Sequence, residues 1–183
     1  AYLLKIEPGT PFAQEGVEAR CPGPDQAAAL YLTACRTLKE RGYRHYEISH
    51  FARPGFESRH TSAYWQLRPY LGFGPSAASA FGGERLLFPR DLDAFLAAAD
   101  PWALIQAEGP AGGLEEYVML SLRLEEGLDL DQVTKLGGDP AGMAKRAAPL
   151  EKAGYLNRRE NRIALTEEGW LVSNGVILAL LGE

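Results

Sequence analysis

The chain has 183 residues, 46% hydrophobic and 23% charged, with a formal net charge of −5. That balance suits one large or two small folded domains and excludes a disordered chain. No apolar run approaches the roughly 20 residues that cross a bilayer, no basic segment followed by an apolar one opens the chain, and the mild acidity argues against a surface built to wrap nucleic acid.

The two cysteines, Cys21 and Cys35, are too distant for a close-spaced metal pair and too few for a disulfide framework, which points to a reducing cytoplasm. "AYLLKIEP" is almost continuously apolar and reads as a buried parallel strand running into a loop. It starts without a cap, turn or initiator Met, so a preceding segment is expected.

"PGPDQAAALYLTACRTLKERGY" follows as a helix, with Asp25 as cap, Leu30, Ala34 and Leu38 at helical spacing, and Gly42 as the stop. "RHYEISHF" reads as the next strand, so strand, helix and strand predict a βαβ unit. "YLGFGPSAASAFGG" is rich enough in small residues for its backbone to approach another backbone or a ligand closely. "ERLLFPR" predicts a strand and "DLDAFLAAAD" a short helix capped by Asp91. "AEGPAGG" is the linker candidate, which divides the chain into residues 1–109 and 110–183.

Beyond it, "LEEYVMLSLRLEEG" places Leu114, Tyr117, Leu120 and Leu124 on one helical face, and two shorter helices follow near Leu130 to Leu136 and Ala141 to Ala153. A hairpin turns at Glu160 and Asn161, and Thr166 caps a last helix with Leu165 and Trp170 placed as a hydrophobic staple. Three helices, a two-stranded wing and a closing helix predict a winged-helix-like module.

"ESRHTSAYW" sets Arg59, His60, Tyr64 and Trp65 in a loop opened by Pro54 and Gly55, where small polar residues are usual. Tyr64, Trp65 and Tyr70 can fill a seam between domains, with His60 a hydrogen-bonded neighbour. The alternative is that they wall a flat apolar ligand, a porphyrin or haem, with the imidazole for iron and Arg59 for a carboxylate. Glu7 and Glu47 end the two predicted parallel strands, the edge at which α/β folds bind ligands, or else they pair on the surface with basic residues. Cys35 shares a face with Tyr31 and Leu38 and reads as a small buried hydrophobe. Lys145, Arg146, Lys152, Arg158, Arg159 and Arg162 around the wing read as a solvated face rather than a DNA reader, since Pro149 interrupts an Ala-rich middle helix.

"YLLKIEPGTPF", "YEISHFARPGFESRHTSAYW", "YLGFGPSAASA", "EEYVMLSLRLEEGLDL" and "GYLNRRENRIALTEEGWLVSN", in this order, resemble the C-terminal half of the HemW family, radical S-adenosylmethionine proteins related to the oxygen-independent coproporphyrinogen III oxidase HemN. The resemblance implies an α/β fold: the last strands and helices of a partial (β/α)6 barrel, followed by a small winged-helix-like domain. Full-length members hold a [4Fe-4S] cluster and S-adenosylmethionine through a C-x-x-x-C-x-x-C loop that this sequence lacks, so the chain alone is expected to hold neither and to be inactive.

The function implied is haem binding and delivery to apo-haemoproteins. The alternatives are decarboxylation of coproporphyrinogen III, or a non-catalytic winged-helix module for interaction or nucleic-acid binding. The family's haem-associated H-N-x-x-Y-W pattern falls on His60, Thr61, Tyr64 and Trp65, with Thr61 in the Asn position. His50 stands where the family's E-I-S-N-F-A has Asn, and Ala78 replaces a familiar histidine. The resemblance therefore marks Arg59, His60, Tyr64, Trp65 and His50 for haem or porphyrin. It marks Tyr2, Leu4, Ile6, Glu7 and Glu47 more weakly for S-adenosylmethionine. Cytoplasmic location, no nucleic-acid partner and self-association through the exposed barrel edge complete the expectations.

Overall fold

In the computed structural model, which describes residues 1–182, residues 1–6 run extended without strand partners. Thr10 caps a one-turn helix, α1 (Pro11–Gln14), and a 3-10 turn at Val17–Arg20 follows. Helix α2 (Pro24–Glu40) starts at its own proline behind Gly23, so Asp25 lies inside the first turn and is not the cap. A proline at the first helical position loses no bond there, because that amide has no partner inside the helix. The buried stripe of α2 runs through Tyr31 and Cys35, while Leu30, one residue round, is exposed.

"RHYEISHF" is two strands and not one: β1 (Arg44–Glu47) and β2 (His50–Ala52) pair antiparallel, with an irregularity between His45 and Glu47. The chain turns because Glu47 Oε1 accepts the Ser49 amide at 3.1 Å and the Ile48 amide donates to the Arg123 carbonyl at 2.9 Å. Every strand pair among the described residues is antiparallel. The predicted βαβ unit is therefore not formed: residues 1–6 join no strand ladder, although the Ala1 amine donates to the Ser49 carbonyl at 2.6 Å, and Tyr2, Leu3 and Leu4 remain exposed. Glu47 does end its strand, β1, but that strand is antiparallel and the carboxylate is buried, whereas Glu7 ends no strand and pairs with Lys5 at 2.7 Å.

Helix α3 (Arg59–Trp65) is followed by a three-stranded meander of β3 (Ala78–Phe81), β4 (Glu84–Leu87) and, after α4 (Leu92–Ala97), β5 (Gln106–Pro110). Asp91 caps α4 by accepting the Ala94 amide at 2.9 Å. The predicted linker is thus largely the third strand of this sheet, and only Ala111 to Gly113 stays irregular. At Gly72 a side chain would collide with the Ala78 carbonyl, and its amide donates to Ser79 Oγ at 2.9 Å, the close backbone approach expected of the small-residue stretch.

The remaining elements are α5 (Leu114–Ser121), β6 (Leu128–Asp129), α6 (Leu130–Lys135), α7 (Pro140–Lys152), β7 (Leu156–Arg159), β8 (Arg162–Leu165), α8 (Glu167–Leu171) and α9 (Ser173–Leu181). The sheet order β6-β8-β7 and the helices around it are winged-helix-like within a mixed α/β fold. The buried face of α5 is Val118, Ser121 and Leu122, rotated from the expected stripe. Pro149 does not interrupt α7, which runs on through it to Lys152, although without an amide hydrogen Pro149 leaves one main-chain bond of the helix unmade. Thr166 caps α8 by accepting the Gly169 amide at 3.0 Å, and Leu165 and Trp170 are both buried beside it.

Candidate functional site

Ser58 begins α3, its hydroxyl accepting the Thr61 amide at 3.2 Å, and its own amide donates to the Tyr46 hydroxyl at 3.2 Å. This cap fixes the first helical turn against β1. Residues four apart on a helix share a face. His60 Nε2 and the Tyr64 hydroxyl accordingly lie 3.2 Å apart, with their rings edge to face at 4.9 Å between centroids. Tyr64 meets Tyr70 edge to face at 4.6 Å. His60 and Tyr64 are exposed, as is Arg59 in the same turn, and the three form an outward aromatic and cationic surface.

Trp65 points elsewhere. Its ring lies under the Arg123 guanidinium, 5.5 Å from the ring centroid, and its buried Nε1 has no hydrogen-bond partner among the described residues. Tyr64, Trp65, Tyr70, Phe81 and Met119 line a cavity of about 240 Å³, with Arg85 and Glu116 paired at its wall. That volume is below the roughly 300–1,000 Å³ of pockets that enclose a drug-sized ligand.

His50 is not brought to this surface. Its Nδ1 contacts Glu47, its Nε2 lies 2.9 Å from the Tyr2 hydroxyl, and its ring stacks near Tyr46. Nε2 is engaged by Tyr2 and Nδ1 is turned to the buried Glu47, so the geometry separates His50 from His60. Glu47, 1% exposed, is held by this contact and by the Ser49 amide. Tyr2 and Leu4 line an open groove against α2 with Leu30 and Tyr31, and Ile6 is half-buried in a neighbouring one.

The thiols do not fit an iron-sulfur cluster that needs three closely spaced cysteine ligands. Cys35 is fully buried on the inner face of α2, and Cys21, on a separate turn, donates to the Val17 carbonyl at 3.5 Å. Burial pushes the Cys35 thiol above its ordinary range, with Glu167 adding to the shift. The same burial holds the His45 imidazole below its usual value. Sequence reasoning passed over His45, since a lone histidine in a short strand carries no motif; its environment arises from residues more than 100 positions apart.

Among the basic residues of the wing, Arg158 pairs with Glu151 at 2.6 Å, Arg162 with Asp129 at 3.4 Å, and Arg146 donates to the Leu180 carbonyl at 2.8 Å. No helix of the described residues is long and apolar enough to cross a membrane.

The HemN C-terminal domain model matches residues 113–172. The chain is 36% identical over 141 residues to the protein named heme chaperone HemW of Synechocystis sp. (strain ATCC 27184 / PCC 6803 / Kazusa), covering 72% of this chain and 34% of that one. It is 30% identical over 191 residues to heme chaperone HemW of Bacillus subtilis (strain 168), covering 100% of this chain and 50% of that one. The chain thus spans half the length of a relative it matches throughout. Its fold is similar to that of the Escherichia coli coproporphyrinogen III oxidase HemN, described as a radical SAM enzyme, with a TM-score of 0.59 at 20% identity, over 87% of this chain and 42% of that one. With the domain match, the alignments along the whole chain and the common fold taken together, the chain belongs to the HemW/HemN family and carries its C-terminal domain.

Proposed function

We propose that the chain binds haem on the outer face of α3 and, within a HemW-like protein, delivers it to apo-haemoproteins in the cytoplasm. The observation that carries this reading is the His60, Tyr64 and Tyr70 cluster at the edge of an apolar cavity, with Arg59 in the same turn. An exposed imidazole suits a haem that is held on one side and passed on, an aromatic edge suits the ring, and a guanidinium suits a propionate. Relatives named heme chaperone support it.

On this reading the iron-sulfur cluster belongs to other parts of the family's length, and the boundary between residues 1–109 and 110–183 separates the haem-facing portion from a docking or lid module. Tyr2 and Leu4, exposed, and Ile6, half-buried, are placed to approach S-adenosylmethionine, and the same open edge is the surface for self-association. Glu7 adds a carboxylate nearby in sequence, whereas Glu47 would first have to leave His50. Arg146, Arg158 and Arg162 are engaged within the fold, which lowers the charge that the wing offers to nucleic acid.

Haem titration of the chain tests the proposal. His60→Ala should shift or abolish the Soret band of bound haem, and His50→Ala should leave its position unchanged. An unaltered spectrum and affinity in His60→Ala would overturn the assignment. Equal affinity for iron-free porphyrin would count against iron ligation and for the decarboxylating oxidase as the full-length activity.

A further inference from the structure

The seam between α2, β1 and α8 brings together three side chains of different chemistry. Cys35 Sγ, a ring nitrogen of His45 and a carboxylate oxygen of Glu167 all lie within 4.8 Å of one another. Cys35 is fully buried, His45 is 8% exposed, and Glu167 is half-buried at the start of α8.

The orientation of His45 is fixed on every side. Phe51 stacks on its ring at 3.9 Å between centroids, and Trp170 meets it edge-on at 4.4 Å. Its Nε2 lies 3.3 Å from the Ile48 carbonyl, which also accepts the Tyr31 hydroxyl at 2.9 Å. A carbonyl only accepts, so Nε2 carries the hydrogen and Nδ1 keeps its lone pair. That Nδ1 is buried without a hydrogen-bond partner among the described residues. It faces Glu167 Oε1 across 3.7 Å. The gap is too wide for a hydrogen bond. It is close to the roughly 3.4 Å edge of a tetrahedron whose metal bonds are about 2.0–2.2 Å long.

We infer that Cys35, His45 and Glu167 form a binding site for a divalent cation of borderline softness, zinc above all, with ligation through thiolate, imidazole Nδ1 and carboxylate. The charge balances: a dication with one thiolate and one carboxylate is neutral, which suits a buried seam better than any unpaired ion. Binding converts the Cys35 thiol to thiolate and releases its proton to solvent. The Nε2 hydrogen bond to a carbonyl is the outer contact that zinc-bound histidines ordinarily make. His45 and Glu167 also line a polar cleft of about 350 Å³, which gives the ion a way in. The site uses none of the α3 residues, so its failure and that of the haem proposal are separately visible.

Cobalt titration of the reduced, chelator-stripped 183-residue chain is the test. Cobalt should bind saturably at one equivalent with a sulfur-to-cobalt charge-transfer band, zinc should displace it, and zinc should raise the thermal midpoint in a way that chelation reverses. Cys35→Ser should remove the band and weaken binding at least about tenfold. Glu167→Gln, at a partly exposed helix start where the fold is not at risk, should also weaken binding, and Cys21→Ser should change nothing. Absence of saturable binding, a band that survives Cys35→Ser, or a band lost in Cys21→Ser would each overturn the site.

Discussion

Between Leu114 and Leu181 the apolar side chains close on one another, whereas between Tyr2 and Trp102 many stay in solvent. The first stretch forms a core around Val118, Leu122, Leu128, Ile163, Trp170 and Leu180, to which Ile48 is the contribution from earlier in the chain. In the second, burial is confined to patches such as Tyr31 with Cys35, and Phe88 beneath the more open rings of Phe95 and Trp102, while Tyr2, Leu4, Phe56 and Phe73 are exposed. Apolar composition alone therefore does not make a core. The sheet β6-β8-β7, with helices packed over it, encloses its side chains, whereas the β1-β2 pair and the equally three-stranded β3-β4-β5 sheet keep open faces.

The contrast is sharpest in side-chain truncation. Leu122→Ala should cost about 2–5 kcal/mol in urea unfolding, because it removes fully buried methyl groups and leaves a cavity. Leu30→Ala should stay within about 0.5 kcal/mol. Comparable losses at the two positions would break the comparison.

Helix caps offer a smaller contrast. Thr166 both accepts the Gly169 amide and donates to the Gly154 carbonyl at 2.7 Å, so Thr166→Ala should cost about 1–2 kcal/mol, with recovery in Thr166→Ser. Thr10 caps a single exposed turn through a 3.4 Å bond, and its alanine variant should lie within the error of the same melt.

The smallest effect concerns acid. Hydrogen bonds from the Arg158 side chain and amide hold the Glu151 carboxyl below its ordinary 4.5. The folded state thus takes up this proton less readily than the unfolded one, so the contribution is whole above the ordinary value and fades as pH falls through the depressed one. Both groups are exposed, and the gain is slight. Melts of the wild type and Glu151→Gln from neutral pH to about pH 3 should differ a little at first and then converge; a gap that widens on acidification would refute the sign.

What the sequence disclosed was what local chemistry decides. Asp91, Thr166, the hairpin at Glu160 and Asn161, and the helices after Leu130 are set by caps, turns and spacing within a few residues, and all were legible. The strand expected over residues 1–6 was not, because a strand exists only through a neighbour and periodicity does not name one. The turn at Ile48 was hidden for the same reason, its amide being taken by Arg123 from far along the chain. In the candidate site, the pairing of His60 with Tyr64 follows from a four-residue helical step. The diversion of His50 to Glu47 and Tyr2 depends on distant packing that no motif carries.

The junction of β1 with the segment after α5 is made by main-chain groups: Ile48 amide to Arg123 carbonyl, and Glu125 amide to Tyr46 carbonyl at 3.1 Å. Such a joint is indifferent to the side chains that cross it. Over evolutionary time the residues at 46, 48, 123 and 125 can drift without loosening these two bonds, proline at 48 or 125 being the change that deletes one outright. Homologues can therefore share this joint while sharing none of the letters that form it.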